Sequence, residues 1–316
     1  MNLSKIIKGL ISYTPFLKKD TSSYTTGTNS SMYCYSVWLR HLINLHQNGM
    51  KKSPQTIIEL GCGSSIGVGL AALLTGSNNY YAFDIRKLTK PEKNIKILDD
   101  LIKMFRNKSI IPHKEKFKEI KPYLESYNFP NQLFNRNDLI NFLQEKRIKK
   151  IKKALSNINQ DLNPDLNQEI NIAYKAPWTP QHLENLNADL IYSQSVMQYI
   201  PDLEMAYRSM YKGLKKQGFI SHQIDYKSQG ISKEWYGHWQ YPPFLWKLIN
   251  KQRLNPINRV PYSVHIELMK KIGFKILFEK KVRSPSPAKR NNLYKKFKSL
   301  NDDDLSIQSA FIIAQK

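Results

Sequence analysis

Apolar positions along this chain follow two rhythms, one strand-like and one helical, and their order is informative. Residues 56–60, Thr-Ile-Ile-Glu-Leu, read as a buried strand closed by Gly61-Cys62-Gly63. Residues 66–74 form a nearly continuous apolar stretch of helical length, and residues 80–85 read as the next strand. Strand, glycine turn, helix, strand is a βαβ unit, which predicts a parallel sheet and an α/β fold. Upstream, an aromatic-rich helix is expected from about residue 30 to 47, carrying Tyr33, Tyr35, Trp38, Leu39, Leu42, Ile43 and Leu45, with Asn48-Gly49 as its stop. Residues 1–28 read as a short amphipathic helix and a Ser/Thr-rich link.

The rhythm breaks over residues 86–168, which are rich in Lys and Asn with helical periodicity around 95–105 and 138–155. Strands resume at 170–174 and 188–193, a helix follows at 203–214, and a further strand at 218–225. A Trp- and Pro-rich stretch (235–262) precedes a helix near 264–271 and strands at 274–282 and 305–314. The expected organisation is an N-terminal helical segment, 1–50, and one α/β domain, 51–316, with a helical insertion at about 86–168. No internal repeat is present.

Composition narrows the class. With 316 residues, 41% of them hydrophobic, the chain can bury a sizeable core. No apolar run is long enough for a membrane-spanning helix, the start lacks a signal-peptide apolar block, and Cys34 and Cys62 cannot build a disulfide framework. The chain reads as cytosolic. The net charge of +24 invites a nucleic-acid partner, but Arg supplies only 10 of the 49 basic residues. Arg is the residue suited to bidentate phosphate and base recognition, and Lys, Asn and Ile all have A/T-rich codons, so nucleic acid is possible but not favoured. The basic run 145–153 keeps Ile148, Ile151 and Leu155 on one face, so its lysines read as a solvated helix face, with a polyanion clamp as the alternative. Oligomeric state leaves no signal.

The stretch Glu59-Leu60-Gly61-Cys62-Gly63-Ser64-Ser65-Ile66-Gly67 carries the candidate chemistry. Glycines after a strand let the backbone turn sharply near a ligand, and the following helix start is expected to offer N–H groups to it. A pyrophosphate site would want glycine where Ile66 stands, and the carboxylate of Glu59 would repel phosphate while suiting a sulfonium or ammonium. A nicotinamide dehydrogenase is thereby disfavoured. Asp84, at the end of the next strand, is placed to accept from ribose hydroxyls.

An acidic residue, then Gly-x-Gly, then Asp at the end of the second strand resembles the class I S-adenosylmethionine-dependent methyltransferases. The segment 188–202, Ala-Asp-Leu-Ile-Tyr-Ser-Gln-Ser-Val-Met-Gln-Tyr-Ile-Pro-Asp, is similar to that family's fourth-strand region, with Tyr199 where many members carry His. Leu214-Lys215-Lys216-Gln217-Gly218-Phe219 is similar to its Leu-Lys-Pro-Gly-Gly turn, with Lys216 and Gln217 as departures. Segments 31–41, 222–225 and 234–239 add a narrower likeness to a little-characterised bacterial branch, methyltransferase type 11-like. The resemblance implies a Rossmann-like, seven-stranded, mostly parallel sheet with the insertion after the second strand, and S-adenosyl-L-methionine as cofactor. It implies cofactor contacts from Glu59, Gly61, Cys62, Gly63 and Asp84, with Ser193 and Gln194 bordering the sulfonium.

A hydroxyl acceptor would benefit from a base. His222, Asp225 and His238 are the catalytic candidates, with His265 another, although the odd offset puts His222 and Asp225 on opposite strand faces. A structural role competes for each histidine. The spacing of the seven histidines predicts no metal site. Trp235, Tyr236, Trp239, Tyr241 and Trp246 form either an aromatic platform for a sugar ring or a hydrophobic plug. The expected activity is methyl transfer to a small-molecule or saccharide acceptor at oxygen. The alternatives are an RNA methyltransferase and a non-catalytic binding protein of the same fold.

Overall fold

The computed structural model describes residues 26–113, 120–134, 137–158, 162, 168–251 and 253–316. The expected first helix lies outside these residues. Helix α1 (Ser31–Gln47) leads into strand β1 (Thr56–Leu60), α2 (Gly67–Leu73) and β2 (Asn79–Phe83). Helices α3 (Pro91–Arg106), α4 (Asp138–Phe142) and α5 (Glu145–Ser156) precede β3 (Asn171–Lys175) and β4 (Ala188–Gln194). The chain continues through α6 (Leu203–Gly213), β5 (Leu214–Asp225), α7 (Pro243–Lys251) and α8 (Tyr262–Ile272). It closes with β6 (Lys275–Arg283), α9 (Asp302–Ser306) and β7 (Ile307–Gln315).

The seven strands form one sheet in the order β3-β2-β1-β4-β5-β7-β6. The first five run parallel, and β7 lies antiparallel between β5 and β6. This is the Rossmann-like, mostly parallel sheet that the sequence predicts. All five residues of β1 are buried, as a central strand covered on both faces requires. The winding reverses between β1 and β4, so a crevice opens at their carboxyl ends.

Helices α1, α2 and α3 pack on one face, burying Trp38, Leu42, Leu70, Leu98, Leu101 and Phe105 in a shared core. The other face is closed by α6 and α8 over Ile58, Ile191 and Ile220. Residue 50 is therefore no packing boundary: His41 on α1 is hydrogen bonded through Nδ1 to Ser221 Oγ on β5 (2.7 Å). Nor is all of 86–168 appended to the domain. Helix α3 is the crossover that joins parallel β2 and β3, and α5 packs on it through Ile148, Ile151 and Leu155. The lysines of α5 face outward, Lys152 pairing with Asp99 of α3 (2.7 Å).

Several strand limits differ from the pattern, most of all in β5, which begins at Leu214 rather than 218. Strand β2 ends at Phe83, so Asp84 opens the following loop. Strand β7 starts at Ile307 because the Asn301 side chain accepts from Asp304 N–H and caps a helical turn over residues 302–306. Among the described residues no helix is long and apolar enough to cross a membrane.

Candidate functional site

The crevice holds a cavity of about 570 Å³. Strand β1 contributes Glu59, its turn contributes Gly61 and Gly63, and the end of β2 contributes Asp84 with Ile85 and Arg86. The loop after β4 contributes Ser195, Val196 and Tyr199, next to Gln194. Thr26, Gly27, Thr28 and Tyr33 close one side, while Trp178, Met205, Asn255 and Pro256 line the other. A cavity of this size, largely apolar with a few convergent polar groups, suits a small molecule.

Glu59 and Asp84 both reach this cavity, although each is under a tenth exposed. Burial pushes the Glu59 carboxyl up to about 7, against the opposing effect of the hydrogen bond from Tyr80. Asp84 is also raised by burial, opposed by backbone N–H groups: its Oδ2 accepts from Gly63 (2.8 Å) and its Oδ1 from Arg86 (3.3 Å).

The turn itself departs from expectation. From Gly63 to Gly67 its N–H groups are bonded to protein rather than offered to a ligand. Gly63 N–H goes to Asp84, Ser64 N–H to Thr26 Oγ1 (3.0 Å), Ser65 N–H to Thr28 Oγ1 (3.3 Å) and Ile66 N–H to Asn94 Oδ1 (3.2 Å). Gly67 N–H is taken by Ser65 Oγ (3.1 Å). The side chains of Thr26 and Thr28 thus occupy the place of an anion. The glycines are needed for backbone and packing reasons: Gly61 and Gly63 have φ of +71° and +70°, and a Cβ on either would collide with Val196 or Thr26.

The sequence-predicted residues divide into two groups. Glu59, Gly61, Gly63, Asp84 and Gln194 line the cavity together. Cys62 is fully buried behind it, with Sγ 3.9 Å from Asp84 Oδ2. Ser193 faces away from the cavity, its Oγ hydrogen bonded to His222 Nδ1 (2.8 Å). His222 is fully buried, packed edge-on to Tyr207 of α6, and burial lowers its pKa to about 3. His265 is hydrogen bonded to the same tyrosine hydroxyl (2.8 Å) and is likewise lowered to about 3. His238 is buried against Trp239, with a ring separation of 4.7 Å, and lowered to about 3. Neither His222 nor His238 reaches the cavity as a base, because α6 and α8 cover that face of β5 and the 235–297 region encloses His238. Asp225 lies on the opposite side of the sheet from His222, as the odd offset requires, and lines an adjoining cavity.

The aromatic stretch after β5 is core. Tyr236 and Trp239 pack with Leu293, Phe297 and Leu305, and Tyr241 and Trp246 pack with Ile231, Ile249 and Ile257. Arg259 bridges the two groups, its guanidinium 4.7 Å from the Trp246 ring and 5.0 Å from the Phe297 ring. These rings form the plug, and the platform for a sugar is absent at them.

Sequence reasoning overlooked Thr26, Thr28, Trp178 and Val196. Trp178 follows the carboxyl end of β3, packs on Phe83 with ring centroids 5.9 Å apart, and could have been singled out by that position. The threonines had no such signal.

No protein-family model and no curated protein matches this sequence. Among solved structures, the fold is similar to a SAM-dependent methyltransferase from Methanosarcina mazei, with 11% identity and a TM-score of 0.43 over 86% of this chain and 96% of that one. It is similar to an S-adenosylmethionine-dependent methyltransferase from Mesorhizobium loti, with 11% identity and a TM-score of 0.41 over 87% of this chain and 96% of the other. It is also similar to the cyclase SpnF, with 9% identity and a TM-score of 0.42 over 99% of this chain and 93% of that one. These are similarities of chain layout, and the layout is shared by different chemistries.

Proposed function

We propose that this chain is an S-adenosylmethionine-dependent methyltransferase acting on a small-molecule acceptor. The observation that carries the reading is the convergence of Glu59 and Asp84 on one cavity beside a turn whose N–H groups from Gly63 to Gly67 are already bonded. Such a wall disfavours phosphate and favours a ligand with hydroxyls and positive charge. Ile85, Leu88 and Trp178 add an apolar surface for a planar group.

This donor set fits the cofactor. Asp84 would accept from the ribose hydroxyls, Glu59 would face the cationic end, and the apolar wall would take the base. When bound, the cofactor supplies a methyl group on a positively charged sulfur. The chain supplies alignment and exclusion of water, which serve an in-line displacement with a good leaving group. His222, His238 and His265 are spent on structure, so acceleration through His222 or His238 is not part of this reading.

A small acceptor is favoured over a polyanion by local charge. Within a chain of net charge +24, the cavity and its neighbour gather Glu59, Asp84, Asp202 and Asp225 against Arg86 and Lys121. A nucleic acid would meet carboxylates at the site of reaction. Burial of the aromatic stretch removes the ground for preferring a saccharide.

Calorimetry with S-adenosylmethionine and its demethylated product tests the proposal, with NADH as control. Binding of both cofactor forms and not of NADH is expected, with Kd values on the order of micromolar. Absence of heat with either form overturns it and leaves a binding protein that shares the fold.

A further inference from the structure

The loops that follow β2 and β3 wall the first cavity through Leu88, Trp178 and Thr179, and they also bound a separate cavity of about 590 Å³ beside the edge strand β3. Lys87, Thr89, Lys175 and His182 line this second space, with apolar surface from Leu155, Ile158 and Pro177. Among the described residues no carboxylate lines it, whereas Glu59, Asp84 and Asp202 line the first.

The polar groups here are donors, and the bonds around them fix that role. Asn94, fully buried in the first turn of α3, accepts the Ile66 N–H at Oδ1 (3.2 Å), so its amide cannot be turned around. Its Nδ2 therefore donates to Thr89 Oγ1 (2.7 Å), which leaves the threonine's own hydrogen for an acceptor outside that pair. Thr179 N–H donates to His182 Nδ1 (2.9 Å), so the neutral ring carries its hydrogen on Nε2. Lys87 and Lys175 each bring an ammonium, and among the described residues neither ammonium has a hydrogen bond or an ion pair.

Two cations on one cavity wall repel each other, and an anion bound there relieves the repulsion. A phosphate monoester brings close to two negative charges and three acceptor oxygens, which a wall of donors can satisfy. A carboxylate brings one charge and two oxygens. We propose that this cavity binds a small organic phosphate as its dianion, held by Lys87 and Lys175 with Thr89 and His182 donating. Its carbon part lies against Leu155, Ile158 and Pro177. The site is separate from the cofactor cavity and does not rest on the methyl-transfer reading.

Saturation-transfer NMR on the full chain at about pH 7.5 tests this with phenyl phosphate, benzoate and benzylamine, each with and without demethylated cofactor. Phenyl phosphate is expected to bind about tenfold more tightly than benzoate, with benzylamine weaker still, and the demethylated cofactor is expected not to displace it. Lys87→Gln and Lys175→Gln should each weaken phenyl phosphate about tenfold, with calorimetric affinity for the demethylated cofactor unchanged. Lys216→Gln, near the start of β5 and so at the opposite end of the sheet, should leave phenyl phosphate binding as it is. Equal binding of the three probes, or Lys87 and Lys175 variants that bind phenyl phosphate normally, overturn the proposal. An equal loss in Lys216→Gln overturns it as well, since the probe would then answer only to the chain's net charge. Displacement by the demethylated cofactor overturns it by placing the probe beside Arg86 in the first cavity. Hexauridylate that displaces phenyl phosphate at a lower concentration than inorganic phosphate does would assign the cavity to a nucleic acid, and this too overturns it. If the demethylated cofactor does not bind while phenyl phosphate keeps its preference, the phosphate site stands and the methyl-transfer reading falls.

Discussion

The Tyr80 hydroxyl donates to Glu59 Oε2 across the β1–β2 pair, and the two residues are diagonal neighbours on the same face of the sheet. This bond holds a buried carboxylate at the cavity and opposes the burial that would otherwise keep it protonated. Removing the hydroxyl with Tyr80→Phe should raise the Glu59 pKa further, because a bond to the charged form is lost. The pH at which cofactor affinity reaches half its plateau should then move upward. Calorimetric titrations between pH 6 and 9 read that midpoint, and an unmoved midpoint would count against the assignment of Glu59 to the cationic end of the cofactor.

Glu59 itself should carry a measurable stability cost. Its carboxyl is raised from 4.5 to about 7, so the folded chain binds more protons than the unfolded chain between those values. The associated stability is present below about pH 4.5 and is lost as pH rises through about 7, a change on the order of 3 kcal/mol. In Glu59→Gln this fall should vanish, leaving the variant more stable than the parent at pH 8 while its cofactor affinity drops at least about tenfold. Denaturant melts at pH 5 and pH 8, paired with calorimetry, check both arms.

Gly69 makes the Tyr80–Glu59 bond possible. A Cβ at that position would overlap the Tyr80 ring, which passes over α2 on its way to the carboxylate. Gly69→Ala should therefore destabilise the fold by about 1–3 kcal/mol despite the better helix propensity of alanine. Denaturant midpoints report the stability, and a gain would show that Tyr80 moves freely.

The buried histidines predict an acid limit. His222 is lowered from 6.5 to about 3, so its neutral form is the folded form. Its contribution is intact above about pH 6.5 and is lost as pH falls toward 3. His222→Gln should flatten part of the stability loss between pH 6.5 and 4, and should leave any pH–rate profile of the cofactor-loaded protein in place above pH 7. A lost rate limb in that upper range would restore His222 as a base.

Much of the fold was legible along the chain because its cues are local. The run 56–60 with its glycine turn, the Asp at 84, and the helical periodicity around 95–105 and 138–155 each announce themselves through nearest neighbours, although the second stretch folds as two helices, 138–142 and 145–156. The buried face of α5 and the opposed faces of His222 and Asp225 follow from period alone. The aromatic stretch was ambiguous, since a ring that stacks on a ligand and a ring that fills a core have the same composition. Only the partners of Trp239 and Trp246 separate the two.

By itself the sequence determined the strand–turn–helix unit, the two carboxylates near the crevice and the shortage of arginine in a basic chain. Tertiary structure decided what those groups face. Thr26 reaches Ser64 across 38 positions, His41 reaches Ser221 across 180, and Ser193 pairs with His222 across neighbouring strands. Periodicity fixes which way a side chain points from its own element. Strand order and register fix what it meets, and those are set by packing between segments far apart in the chain.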